Sequence, residues 1–592
     1  MKKACLISLF FLLCSRFAVA ETALYNDIRY VLDPIQHTAE VSENHKVGEY
    51  LVIPDTIYAS SQVYLVTAIG ENAFKGCKQL AQIVLPASLR TIARGAFEGT
   101  ALWLNKDNWV EGALYIDSCL IATDKTLVPR YDVPEGTRLI AAGAFAGNKT
   151  ITRITLPSTI SRIDYETFRD CKNLTKVEIP ASVTSIGQNA FTGTGIWLNE
   201  KRWRKGALYI DSCLIAVNND APAKFFFKDK VPTRLIAEAA FRGNKTVSNV
   251  IIPTTITIIP AACFYDCQEL LNVTIPEQVT RIEHFAFYGC VRLQHALLSD
   301  SVQYLGTGAF YNCRSLKEQH LSPSITYLPT ACFFLCSSLA QVPLPATMRV
   351  IGDGAFAGCT AIEDPVLPAQ LTYIGEKAFA ACSKIRTIHI PDQVTIIRKA
   401  AFAECTHLTE ITLPKGLYAV DDETFKHCIT LEKVSLPKDL YRIGRQAFND
   451  CQELYKIALP EGLHLIEDEA FMECKKLIQI DIPEKVSRLG EGAFAQCINL
   501  SEVAFGDSLI TIDAGAFAQC RRLSEVTFPA HLTTIEEEAF WDCTSLKKVT
   551  FNAELKTIGS AAFKGCESLK IPTLPPTVAV GKSAFKGCKD SR

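Results

Sequence analysis

Three clusters in the sequence have residue types that chemistry uses. Gly506-Asp507-Ser508-Leu509 has the form of an esterase nucleophile motif, in which a serine attacks an ester carbonyl. Such a serine needs a histidine base and an acid to orient it. None of the ten histidines has an aspartate three positions before it, so the usual partner is missing. Gly581-Lys582-Ser583 ends like a phosphate-binding loop, but Pro576 stands where the upstream glycine belongs. Cys263/Cys267 and Cys332/Cys336 have the i, i+4 spacing of paired metal ligands. Their first members, however, only replace an alanine that recurs at that position along the chain, which favours a core role. No His-Glu-x-x-His or paired Cys-x-x-Cys occurs. The sequence therefore supports no catalytic, cofactor-binding or metal-binding residue, and the expectation is a protein that is not an enzyme and takes no cofactor.

A different chemistry, that of binding, is written in two inserts. Trp103, Trp109, Trp197 and Trp203 are four of the five tryptophans. Lys201-Arg202-Trp203-Arg204-Lys205 surrounds one of them with cations, and Phe225-Phe226-Phe227 follows. Indoles and arginines anchor interfaces, and cations beside Trp suit acidic protein segments or anionic glycans. The candidate partner-binding residues are thus Trp103, Trp109, Trp197, Arg202, Trp203 and Arg204. Packing of the inserts against the rest of the chain accounts for the tryptophans equally well.

What must position these residues is a single short unit repeated many times. Its clearest copy runs Leu477-Ile-Gln-Ile-Asp-Ile-Pro483, then Val486-Ser-Arg-Leu-Gly490, Ala493-Phe494 and Cys497. The anchor phenylalanines stand at 74, 97, 145, 168, 191 and 241, then every 23 residues from 264 to 563, and at 585. A fixed short period overrides the several-domain expectation for 592 residues. Alternation in the first segment sends Ile480 and Ile482 inward and Gln479 and Asp481 outward. Pro483 ends that strand because it has no N–H to give to a ladder. Val486 and Leu489 turn a second short segment inward, Gly490 marks a turn, and Ala493-Phe494 fills the interior. The expected fold is a β-rich repeat solenoid. It carries a parallel sheet on one side and short strands, turns or short helices on the other. Motif Gly506–Leu509 falls in the slot that reads Phe528-Pro-Ala-His-Leu532 one coil later, which makes it a piece of the repeat.

Seventeen cysteines sit three residues after an anchor Phe. Identical positions in adjacent coils have parallel Cβ vectors, whereas a disulfide needs converging ones. A column of buried free thiols is expected, each a small hydrophobe and weak donor. The copies without Cys carry Thr100, Asn148, Thr194 and Asn244, all able to bond backbone. The period breaks twice, for inserts at about 100–140 and 194–236 that share Gly-Ala-Leu-Tyr-Ile-Asp-Ser-Cys-Leu-Ile-Ala. Each reads as a β-hairpin or small β-module. The copies between about 290 and 370 are worn: Ala296, Gln319 and Pro365 replace inward aliphatics, and Pro343 enters the outward column.

Residues 1–20 read as a signal peptide, with Lys2 and Lys3, an apolar run and Ala18-Val19-Ala20. Residues 21–60 read as an N-terminal β-hairpin cap, and 61–592 as the solenoid. The chain stops seven residues after Phe585 without a dedicated cap, so self-association through that edge is a second reading. Lys and Arg number 61 against 63 Asp and Glu; the first twenty residues hold three of the cations and no acid, leaving a charge near −5. That balance gives no general attraction to nucleic acid, and no later stretch is long and apolar enough to span a bilayer. The expected location is outside the cytoplasm: secreted, at the cell surface or periplasmic.

With Cys-x-x-Leu-x-x-Val/Ile-x-Leu/Ile-Pro, Val-x-x-Ile-Gly and Ala-Phe in place, the chain resembles BspA-like bacterial leucine-rich repeat proteins of the 23-residue treponemal type. The resemblance implies a leucine-rich-repeat right-handed superhelix. It also implies a surface or secreted adhesin for host extracellular-matrix proteins of the fibronectin and fibrinogen type or for other cells. A structural, self-associating envelope or biofilm protein is the alternative.

Overall fold

Alternating inward aliphatics need a sheet to line, and most coils of the computed structural model supply two short strands, one to each of two parallel ladders. The structure describes residues 21–34, 36–228 and 232–589; the signal segment expected at 1–20 lies outside them. The chain forms two compact units, residues 1–287 and 288–592, and each is a leucine-rich-repeat solenoid.

The first unit opens with an end module larger than one hairpin. Strands β1 (Glu21–Tyr25), β2 (Ile28–Asp33) and β3 (Thr38–Val41) run antiparallel. After β4 (Tyr50–Val52), a second hairpin pairs β5 (Thr56–Ala59) with β6 (Gln62–Ile69), and β3 joins β6 in parallel. From this sheet two parallel ladders start. β6 passes the short-strand ladder to Thr91–Ile92, and β4 passes the long-strand ladder to Gln82–Val84. Further on, Arg153–Thr155 pairs with Lys176–Glu178 in a register of 23 residues, and Ile154 and Val177 point into the core between exposed or half-exposed neighbours.

The second unit repeats one coil with few interruptions. Its short strands form an eight-stranded parallel sheet from Ala419–Val420 to Ala579–Val580. Its long strands pair from Thr387–His389 through Lys456–Ile457, and again at Gln479–Asp481 with Glu502–Ala504. Ile480 and Ile482 are buried and Gln479 and Asp481 exposed, as alternation requires. Ring centroids of Phe471, Phe494 and Phe517 lie 5.2 and 5.3 Å apart and within 8° of parallel. The thiols stand beside them. Cys497 Sγ donates to the Phe471 carbonyl and Cys520 Sγ to that of Phe494, both at 3.2 Å. All the cysteines among the described residues are free. The Ala-Phe corner is flanked by two left-handed residues, for example Glu469 and Glu473 at φ 54° and 62°, or Gly492 and Gln496 at 59° and 60°. Gly490 itself is not left-handed. A Cβ there would lie 2.5 Å from the Asp468 nitrogen, so close approach of the preceding coil is what favours glycine.

The worn copies lose the long-strand ladder. Pro343 and Pro365 have no N–H for it, and residues 318 and 341 form only an isolated bridge. Gln319, 2% exposed, substitutes for the missing regularity. Its Nε2 donates to the Ala296 carbonyl at 3.1 Å, and its Oε1 accepts from the Leu298 and His320 amides at 3.1 and 3.0 Å.

Candidate partner-binding site

Each insert enters on a threonine of the column. Thr100 and Thr194 accept the amides of Trp103 and Trp197, both at 3.1 Å, and so cap four-residue helical turns, Ala101–Leu104 and Gly195–Leu198. A 3-10 turn follows, Lys106–Asn108 or Glu200–Arg202. Strands Trp109–Val110, Ala113–Ile116 and Cys119–Thr123 then form an antiparallel module, matched in the second copy by Trp203–Arg204, Ala207–Ile210 and Cys213–Val217. The last strand of each module pairs in parallel with the next short strand of the solenoid. The inserts are therefore built into the ladder.

The structure brings the predicted tryptophans together in pairs. Trp103 and Trp109 meet edge to face at 5.4 Å, Trp197 and Trp203 at 5.1 Å. In each pair the later indole Nε1 donates to the earlier carbonyl, at 2.9 and 2.8 Å. All four rings are partly buried against the core, so each pair supports its module and still shows surface. Arg202 and Arg204 are exposed, and Arg202 Nη2 reaches the Thr175 carbonyl at 3.1 Å. Of the phenylalanine triplet, Phe225 and Phe227 pack on Phe241, while Phe226 is 65% exposed with Lys224 Nζ 5.3 Å from its ring.

Sequence reasoning missed the ties that hold the inserts. The hairpin-turn residues Asp117 and Asp211 accept the amides of Leu85 and Ile179 at 2.8 and 3.0 Å. Arg138 Nη1 donates to the Pro86 carbonyl at 2.9 Å, and Arg234 donates to the carbonyls of Val183 and Pro180 at 2.7 and 2.9 Å. Asp211 also holds φ at 52°, which Asn tolerates better than Ala. Asp211→Ala is expected to destabilise the first unit by about 1–3 kcal/mol and Asp211→Asn by less, measured by urea unfolding.

Behind the second insert lies a cavity of about 270 Å³ lined by Trp197, Trp203, Asn189, Thr192, Glu238 and Arg242, among others. Glu238, 20% exposed, accepts from Arg162 Nη2 at 2.8 Å and from the Gln188 amide at 3.2 Å. Burial raises its carboxyl above the usual carboxylate range, with Arg162 opposing. Burial also works against the Arg162 charge, but Glu238 and Asp164 outweigh it and raise the guanidinium further.

The outward positions of the long strands carry mixed charge. Glu178 pairs with Arg153 and Lys176 at 3.2 and 3.1 Å, and Glu410 and Glu525 stand opposite Lys433 and Lys548. Exposed pairs of this kind contribute little. The esterase-like motif is a turn in which Gly506 and Leu509 are buried and Asp507 and Ser508 exposed. Cys263, Cys267, Cys332 and Cys336 are buried in the core. Among the described residues no helix is long and apolar enough to cross a membrane.

Coils of two short parallel strands closed by a buried Phe corner define a leucine-rich-repeat solenoid, here bearing two aromatic β-modules. The chain belongs to the family of the BspA type leucine rich repeat region, whose pattern matches residues 57–109, 125–202, 234–363, 349–478 and 464–592. It is similar to a solved leucine-rich repeat protein from Bacteroides ovatus, 20% identical over 89% of this chain and 99% of that one, with a TM-score of 0.34. One from Eubacterium ventriosum is 19% identical over 82% and 94%, with a TM-score of 0.26. The leucine-rich repeat protein of T. pallidum is 22% identical over 43% and 89%, with a TM-score of 0.22. No curated protein matches the chain.

Proposed function

We propose that this is an exported, non-enzymatic binding protein that acts at the cell surface or beyond it as an adhesin for host extracellular-matrix proteins. The observation that carries the reading is the pair of inserts. Each presents two partly exposed indoles on a module locked into the solenoid, and the second adds Arg202 and Arg204. Preorganised aromatic and arginine anchors are the side chains that dominate protein interfaces. The outward positions of the long strands are mixed, with charged and small polar residues in many coils and exposed Tyr50, Val52, Val84 and Ile251 in the first unit.

The test is binding of mature protein to immobilised fibronectin and fibrinogen. Deleting an insert would remove a ladder strand, so the comparison uses Arg202→Ala with Arg204→Ala, and Leu104→Ala with Val110→Ala, all exposed positions. Saturable binding weakened about tenfold or more by either pair is expected. Binding no greater than to an unrelated immobilised protein overturns the reading.

A further inference from the structure

The two inserts share a backbone and differ in charge. Aligning Trp103 with Trp197 sets Lys106, Asp107, Asn108, Val110 and Glu111 against Glu200, Lys201, Arg202, Arg204 and Lys205. The first strip holds one cation and two acids, the second four cations and one acid, and all five residues of the second are exposed. Lys205 and Glu111 even share a left-handed backbone, φ 49° and 52°.

The interiors differ as well. Trp203, in the middle of the cationic strip, is also a wall of the cavity that Trp197, Asn189, Thr192, Glu238 and Arg242 line. The matching residues of the first insert are Gly95, Glu98, Ala142 and Ala146 for the last four. There the Arg94 side chain lies across Gly143 and pairs with Glu166 at 2.7 Å. At the second module the recess is lined by polar groups, and exposed cations stand on either side of its wall residue Trp203 as a basic rim.

We propose that the second insert binds an acidic oligosaccharide, one carrying uronate carboxylates or sulfates. An indole offers an apolar face to the C–H face of a pyranose. Glu238, Asn189 and Thr192 supply acceptors and donors for hydroxyls, and the Glu238 carboxylate favours a neutral hydroxyl over an anion inside the recess. The anionic groups then meet Lys201, Arg202, Arg204 and Lys205 at the rim, where charge complementarity sets preference. An acidic polypeptide would engage the rim alone and leave the recess unread. The proposal goes beyond the matrix-protein reading and stands on the second insert.

The experiment is calorimetric titration of mature protein with an octasaccharide of alternating glucuronate and N-acetylglucosamine. A neutral N-acetylglucosamine oligomer and a polyglutamate of equal charge are the comparisons. The acidic sugar is expected to bind at least about tenfold more tightly than either, and less tightly as salt rises. Replacing Lys201→Asp, Arg202→Asn, Arg204→Val and Lys205→Glu, all borrowed from the first insert, is expected to weaken it about tenfold or more without moving thermal unfolding. Arg242→Ala, the first insert's choice at that place, is expected to weaken it and to lower its salt dependence by less than the four-residue change does. No binding by the unaltered protein, equal binding of polyglutamate, or full binding by the folded four-residue variant overturns the proposal. A protein that holds fibronectin but no acidic sugar sinks this inference alone; the reverse result sinks the matrix reading alone.

Discussion

Phe494→Ala is expected to destabilise the second unit by about 3–5 kcal/mol. The ring is fully buried and touches solvent nowhere. It sits between the near-parallel rings of Phe471 and Phe517, so truncation opens a cavity with an aromatic wall on each side. Removing it forfeits burial, dispersion and two ring contacts, and a ladder of backbone bonds on both sides limits collapse. In a repeat array each coil touches only its neighbours. The loss should therefore be local: amide exchange should quicken most between about residues 470 and 520 and fade with distance. Phe585 provides the contrast, being half-buried and stacked on Phe563 at 5.3 Å. Phe585→Ala should cost well under half as much. Urea unfolding with amide exchange measures both. A cost for Phe494→Ala below about 1 kcal/mol, or protection lost evenly along the unit, would show that the column does not organise the fold.

The parts of this structure that were legible in the sequence are those fixed by side-chain volume at a constant interval. Phe494, Cys497, Ile480 and Ile482 each face neighbours one coil away, so a residue type recurring every 23 positions reveals its partner. Backbone conformation left a fainter trace. The left-handed position two residues after the Phe is held by Gly358, Glu404, His427, Asp450 and Gln519 alike. The turn geometry is shared, and glycine marks it at Gly76, Gly99 and Gly147 but not in copies that carry Glu, His or Gln there. Contacts that skip a period were not legible at all. Arg162 meets Glu238 across 76 positions because the second insert lies between them, and Asp211 finds the Ile179 amide by the same detour. The tryptophans announced the candidate site, but not its geometry: half of each indole pair is spent on bonding its own module, and the recess beside Glu238 exists only once the module has docked.

Raising the pH from 8 to 11 is expected to unfold the second unit, and the buried thiols should cause most of the loss. Burial pushes Cys405 and Cys497 up to about 12, and Cys428, Cys451, Cys474 and Cys520 well above the ordinary thiol value. In the unfolded chain each titrates near 8.5. Between the unfolded and folded values the folded state holds more protons, so stability falls as pH rises through that window. Below the unfolded value the contribution is fully present. One such thiol removes at most about 1.4 kcal/mol per pH unit, and six acting together remove about 8, comparable to the whole stability of an ordinary domain. Thiolate absorbance and the loss of circular dichroism should appear in one step. Lysines and tyrosines also titrate in this range, so the thiol share is read as a difference. Cys428→Thr, Cys451→Thr and Cys474→Thr place in the column the residue that Thr100 and Thr194 already supply there, and remove three titrating groups. That variant should unfold at a higher pH than the parent, once their stabilities at pH 7 are subtracted. Thiolate appearing near pH 9 while the dichroism stays native would mean that water reaches the sulfurs in the folded coil, and the dry column would have to be abandoned.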